Sequence, residues 1–512
     1  MRHSPPRVLL AALLALVAPP AGCGGPSHPA APSSAPAPTQ PAPSLPPPPA
    51  ASTATAAAPS NTSALAARAS SIPAPAAAAF STPSPVAAED RPPPCLLGVR
   101  GADGLTPLER GVRTALREAQ LDRVIDLGLD AEKDCTERTP CKGAPLARTP
   151  SVDLAVVAFP QGCPPVGASV ILSAGTPDVR VNAIDPSSVE VRGVRFRRWN
   201  PARWDGAPTA PRVPSDDVVP GLAGVDFDLP YPASLFKLLV AVQVLRLVER
   251  GTLTLDQPVF DGHAGRPLRA WLDDMITRSD NTSTRALVRK LHALGAMDEV
   301  TPYFAALGLP TLQIRGTSPV TGGDWHPGQI HMGAWDTARL LWLIDPSAPP
   351  PSWPMAAPFL GEASRQRLFT LLSEQAFHEA LSTPALCGTW GVRQGIPARM
   401  PPRWIHRDGS VNVDELRRST DARPCNASAE VAFAHKTGLT LNYGSDAGIV
   451  TGIPGRARRH YLVALVSNLG YRYTDAEHAG GPLPCLAKGV CYTQRIPALG
   501  ARLDALMKSL LE

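Results

Sequence analysis

Ser234 and Lys237 stand three residues apart in YPASLFKLLVAVQVLRLVERG, residues 231–251. On a helix that spacing puts the two side chains on one face, one turn apart. A lysine withdrawn from water can lose its proton near neutral pH and take that of the serine, whose oxygen then attacks a carbonyl. A helix start adds unpaired N–H groups and partial positive charge around the hydroxyl. The ordinary reading is a capping serine and a surface lysine. This is the only Ser-x-x-Lys in a chain with seven lysines. A second group is Ser279-Asp280-Asn281, just ahead of TSTRALV. Its serine offers a hydroxyl that can relay a proton to a leaving nitrogen, and its asparagine an amide for a substrate carbonyl. Its ordinary reading is a capped helix start. The third group, Lys436-Thr437-Gly438, ends the stretch AEVAFAH. Lysine and threonine suit a substrate carboxylate, and glycine allows close approach. Its ordinary reading is a turn with an exposed lysine.

The elements that must hold these groups follow from the hydrophobic pattern. Residues 105–129 have helical spacing, 152–159 and 168–174 read as strands, and 231–251 is a helix closed by Gly251. Helices are expected around 267–278, 283–293, 297–307, 332–344 and 362–381. Strands at 429–435 and 460–468 lead to a last helix at 495–512. Strands at both ends with helices between them predict an α/β (α+β) fold. Its antiparallel sheet is built from both ends of the chain and flanked by helices, with an all-helical lobe made by the middle.

The three groups, in this order, resemble the signature of the penicillin-recognising serine enzymes: Ser-x-x-Lys, Ser-Asp-Asn, Lys-Thr-Gly. LVERGTLTLDQPV (247–259), WDTARLLWLI (335–344) and SDAGIV (445–450) also look like class A β-lactamases and their relatives. The resemblance covers 220–475 well and 150–220 loosely; it leaves out the N-terminal stretch, and 93–150 and 382–428 read as additions. It implies that Ser234 is acylated, with Lys237 as base or relay and Ser279 passing the proton on. It implies that Asn281 holds the substrate and that Lys436, Thr437 and Gly438 receive its carboxylate end. The backbone N–H groups of Ser234 and Leu439 would form the oxyanion hole. The implied substrate is a β-lactam or a peptidoglycan peptide, and no cofactor is implied.

One expected group is missing. Class A enzymes carry a loop glutamate that positions the water for deacylation. The corresponding stretch, LQIRGTSPVTGGDWHPGQIHMG (312–333), has no glutamate. Arg315 fits the loop arginine, Thr317 falls near the glutamate's place, and Asp324, His326 and His331 are the remaining candidate bases. Ser279 follows Ser234 by 45 residues, an interval shorter than the family's, which predicts a more open cleft. Three functions fit. One is a β-lactam hydrolase with slow deacylation, and another is a cell-wall D-alanyl peptidase or similar penicillin-binding hydrolase. The third is a binding lipoprotein that keeps the fold without catalysis.

The bulk of the chain sets the rest. Its 512 residues carry a net charge of +5, 60 prolines and 44% hydrophobic residues. The arginines are scattered and form no basic stripe, so no nucleic-acid partner is expected. Residues 1–22 read as an export signal, and PPAGC resembles a lipobox that would acylate Cys23. Residues 23–92, rich in Pro, Ala and Ser, read as a tether of about 70 residues, spanning roughly 45 Å as a coil or roughly 215 Å as polyproline II. Residues 93–512 would form the hydrolase, a monomer outside the cytoplasm that meets the membrane only through its lipid. Eight cysteines beyond Cys23 suggest disulfides. Short loops favour Cys135–Cys141 and Cys485–Cys491. No CxxC pair suggests a metal site.

Overall fold

The structure, a computed structural model, describes residues 94–128, 143–185, 188–205, 210–388, 392–413, 416–419, 421–476 and 493–512. All belong to one compact unit, Val86–Glu512. Helix α1 (Pro107–Ala119) comes first, started by a capping box in which Thr106 and Glu109 exchange bonds of 3.1 and 2.8 Å. Strands β1 (Val152–Ala158), β2 (Val166–Ser173) and β3 (Thr176–Val181) follow, then β4 (Val191–Arg198) and β5 (Gly224–Leu229), which pair parallel in a separate small sheet. The helical middle comprises α2 (Lys237–Glu249), α3 (Leu268–Thr277), α4 (Asn281–Ala293) and α5 (Val300–Ala306). The two-residue strands β6 (Gln313–Ile314) and β7 (Ile330–His331) close a loop ahead of α6 (Ala334–Ile344) and α7 (Glu362–Ser373). The chain ends in β8 (Val431–Leu439), β9 (Gly444–Gly452), β10 (His460–Ser467) and α8 (Arg495–Leu511).

The main sheet runs β8–β9–β10–β1–β2–β3, antiparallel throughout. It is built from both ends of the chain, as the sequence pattern predicts. Strand β1 shows why. All seven of its residues are buried, and alternate side chains serve different cores. Val152, Leu154, Val156 and Ala158 pack with Leu108, Val112 and Leu116 of α1 and Leu499, Leu503 and Met507 of α8. Ala155 and Val157 face the helical middle, with Leu238, Val242, Leu287 and Leu341.

Several expectations change. The first helix ends at Ala119 rather than near 129, and α7 ends at Ser373 rather than 381. Strands β3, β4, β5 and β9 were not among the expected elements. Residues 376–428 include an insert with its own small core of Ala376, Ala385, Met400, Val411, Val413 and Ala422, closed by the Cys387–Cys425 disulfide. A second disulfide joins Cys95 to Cys163. The expected pairs Cys135–Cys141 and Cys485–Cys491 lie outside the described residues.

Candidate active site

Ser234 sits in a 3₁₀ turn, Ala233–Phe236, and the α-helix proper begins at Lys237. That corrects the expectation of a serine in the first α-helical turn. The residue before it, Ala233, holds a φ of +49° and is 1% exposed. A non-glycine residue in that region stores strain, which the packing around it must hold in place. Two strands press on the turn. Gly438 of β8 comes so close that a Cβ there would lie 2.3 Å from Pro232 O and 2.9 Å from Ser234 N. Ser445 of β9, opposite Gly438 in register, donates its Oγ–H to Pro232 O at 2.6 Å. The serine is therefore carried on a braced, strained corner against the sheet edge.

Lys237 is no surface lysine. It is fully buried, and its Nζ donates to Asn281 Oδ1 at 2.7 Å, to Ser279 Oγ at 3.3 Å and to the Ser279 carbonyl. Lys436, also fully buried, donates from Nζ to Ser279 Oγ at 2.8 Å and to Thr437 O at 2.8 Å. Ser279 Oγ thus lies between two lysines, and Ser279 itself holds a φ of +56°. Burial, then the Lys436 charge, hold the Lys237 pKa well below the usual lysine range. Burial brings Lys436 down to about 7, opposed by the charges of Asp446 and Glu379. Two buried lysines sharing one hydroxyl repel each other's protons, so the site favours loss of a proton from Lys237, whose neutral amine keeps two N–H donors for Asn281 Oδ1 and the Ser279 carbonyl and gives up the long contact to Ser279 Oγ.

Asp280 takes the capping job that the ordinary reading offered, accepting from Ser283 N at 2.6 Å. That leaves Ser279 and Asn281 to the cleft. Thr437 is 3% exposed, opposite Asp446 in register, and Leu439 ends β8 opposite Gly444. The structure thus brings together Ser234, Lys237, Ser279, Asn281 and Lys436-Thr437-Gly438, with Leu439 next in the strand.

The loop candidates do not join this group. Asp324, with φ +65°, and His326 are exposed. Thr317 Oγ1 lies 2.8 Å from His292 Nε2. His331 is fully buried in β7, and among the described residues neither ring nitrogen has a hydrogen-bond partner. Burial, then the Arg198 and Arg315 charges, push its pKa down to about 3, too weak a base to activate water well. None of them shares a hydrogen bond with Lys237, Ser279 or Lys436. The loop reaches the site through Trp325 instead, whose ring lies 5.2 Å from that of Phe236. Sequence reading singled out neither Trp325 nor Ser445. Ser445 lay in view in SDAGIV, but only its register opposite Gly438 gives it a task.

A family model described as the beta-lactamase enzyme family matches residues 226–384. Among solved structures the chain is similar to PBP-A, at 14% identity over 78% of this chain and 96% of that one, TM-score 0.40. It is similar to a class A beta-lactamase from Bacteroides cellulosilyticus, at 16% identity over 71% and 93% of the two chains, TM-score 0.36. A third is a beta-lactamase from Streptosporangium roseum, at 16% identity over 54% and 84%, TM-score 0.33. No curated protein matches. The matched segment holds Ser234, Lys237 and the Ser279–Asn281 turn, and β8, beyond it, adds Lys436-Thr437-Gly438.

Proposed function

We propose that this protein is a serine hydrolase that opens β-lactams through an acyl-enzyme on Ser234 and releases the product slowly. The observation that supports this best is the hydroxyl of Ser279 held between the buried Nζ atoms of Lys237 and Lys436. In this reading neutral Lys237 takes the Ser234 proton as Oγ bonds to the lactam carbonyl carbon. The carbon–nitrogen bond then breaks, and Ser279 passes a proton to the departing nitrogen. The N–H groups of Ser234 and Leu439 take the charge on the carbonyl oxygen, a contribution of about 3–4 kcal/mol per donor in such sites. Lys436 and Thr437 take the substrate carboxylate, with Gly438 giving room. Deacylation needs a base beside the ester, typically worth about 10²–10⁴-fold in rate. Asp324 and His326 are exposed and His331 is a weak base, so the acyl-enzyme accumulates.

The same lack of a loop base favours a second reading, a D-alanyl peptidase or similar penicillin-binding hydrolase, which needs no such glutamate. Under either reading the chain is exported, monomeric and lipid-anchored at Cys23, which the mass of the mature N-terminal peptide tests. A labelled penicillin tests the chemistry. We expect one equivalent on Ser234, a burst followed by a slow phase, and no label on a folded Ser234→Ala protein. Label that survives that substitution overturns the assignment. Steady turnover of hundreds per second without a burst overturns slow release.

A further inference from the structure

Arg285 occupies a place that the chemistry described so far leaves unused. It follows Asn281 by four residues on α4, so the two share a helix face. Asn281 faces the cleft, since its Oδ1 accepts from Lys237 Nζ at 2.7 Å. The Arg285 guanidinium lies 5.6 Å from the centre of the Trp325 ring, and that ring packs on Phe236, two residues after Ser234. The backbone of Arg285 is fixed as well. A Cβ on Gly322 of the loop would lie 2.1 Å from its carbonyl oxygen. Its side chain is exposed, and among the described residues no carboxylate forms an ion pair with it. Its charge nevertheless reaches the site, where it helps lower the Lys237 pKa.

The cleft therefore has a cation on each side of the Ser279–Asn281 turn, Lys436 on the sheet side and Arg285 on the loop side. We propose that Arg285 is a specificity-determining residue that binds a second carboxylate, carried on the acyl side of the substrate. This rests on the reading of Ser234 as the acylated serine. The preferred acyl donor is then a dianion, with one carboxylate at Lys436 and Thr437 and the other at Arg285. A planar guanidinium steadied against an indole ring suits a carboxylate, since its paired N–H groups match the two oxygens.

The test compares carboxybenzylpenicillin with benzylpenicillin, which differ by that carboxylate. Wild-type protein is expected to be acylated ~10-fold faster, per unit concentration, by the dianion, the size of one charge-assisted contact. In Arg285→Gln the ratio between the two substrates falls to about one, and Arg285→Lys keeps part of it. The ratio cancels any change that either variant makes to Lys237, because both substrates use the same amine. A wild-type ratio near one overturns the proposal, and so does an equal loss for both substrates, which would make Arg285 only a brace for Trp325. If neither compound acylates Ser234, the functional reading fails, and calorimetry on Ser234→Ala with and without Arg285→Gln still decides the role of Arg285. Tighter binding of the dianion that depends on Arg285 supports it, and equal binding or none overturns it.

Discussion

At the scale of single residues, this site runs on two lysines whose protons are set by burial rather than by carboxylate partners. Exposed lysines titrate near 10.4. Lys436 titrates at about 7, and Lys237 is held well below the usual range. In the proposed reading their tasks have opposite requirements. Lys237 must be neutral to take the serine proton, so acylation rises as pH climbs through its depressed pKa. Lys436 must be charged to take the substrate carboxylate, so acylation falls as pH rises through about 7. The second-order acylation constant reports the free protein, and its alkaline limb belongs to Lys436. We expect that constant to drop up to ~10-fold per pH unit above neutrality. Once a carboxylate is bound, the Lys436 pKa rises, so the limb should be absent from the saturated rate. In Lys436→Arg the charge persists, and the limb should move above about pH 9. The measurement is penicillin labelling rate against pH. A flat profile between about pH 6 and 9 in the wild-type protein would remove Lys436 from the carboxylate's site.

At the scale of elements, the decisive feature is how a strand and a turn meet. Gly438 has no positive φ, so it is glycine for space and not for backbone freedom. An added Cβ would meet Pro232 O at 2.3 Å, Leu235 N at 2.7 Å and Ser234 N at 2.9 Å, all of them backbone atoms that cannot rotate away. Gly438→Ala must push β8 off the serine turn. We expect a stability cost of about 1–3 kcal/mol in urea unfolding. The acylation rate should fall by about 10²-fold, the usual effect of moving a reacting group by roughly 1 Å. Acylation within threefold of wild type would mean that the turn and strand move together. The sequence revealed the residues of this contact but not the contact itself. The three motifs were legible because their side chains are chemically unusual for their surroundings. Strand β9, which carries Ser445, was not, because GSDAGIVTG alternates in no visible way when both faces are buried. The excess length expected of α7 has a similar cause. Ala376 keeps the apolar spacing of Leu368 and Leu372, but residues 375–376 leave the helix, Ala376 N donating to Thr277 O and Gln375 Nε2 to Ile276 O, both at 2.8 Å.

At the scale of the whole molecule, the chain closes on itself by charge as well as by sheet. Arg459, fully buried beside β10, binds Asp504 at 2.8 Å, Glu430 at 2.7 Å and Glu512 at 3.1 Å, fastening α8 to the strands. The insert is attached differently. Arg403 pairs with Asp273 of α3 at 3.1 Å between partly exposed side chains, a contact worth about 0–1 kcal/mol. Trp404 Nε1 donates to Glu374 O at 2.8 Å. What closes the insert is the Cys387–Cys425 disulfide, whose partners lie 38 residues apart, a constraint worth roughly 4 kcal/mol by loop entropy. The near-neighbour pairs that loop entropy favours, Cys135–Cys141 and Cys485–Cys491, lie outside the described residues. The fold joins Cys95 to Cys163 and Cys387 to Cys425 because its elements bring distant segments together. Replacing both Cys387 and Cys425 with serine should therefore act locally. The insert has its own small core, so it can open without unfolding the sheet. We expect a protease to cut between 388 and 424 at least 10-fold faster, following the larger open population. Acylation of Ser234 should stay within threefold of wild type. The buried bonds that brace α3, and through it the Ser279–Asn281 turn, come from 375–376, ahead of the disulfide loop, and the loop itself adds only the weak, partly exposed Arg403–Asp273 pair. A tenfold loss of acylation in the double serine variant would instead make the insert part of the active-site frame. Unchanged proteolysis would mean that its small core holds without the cross-link.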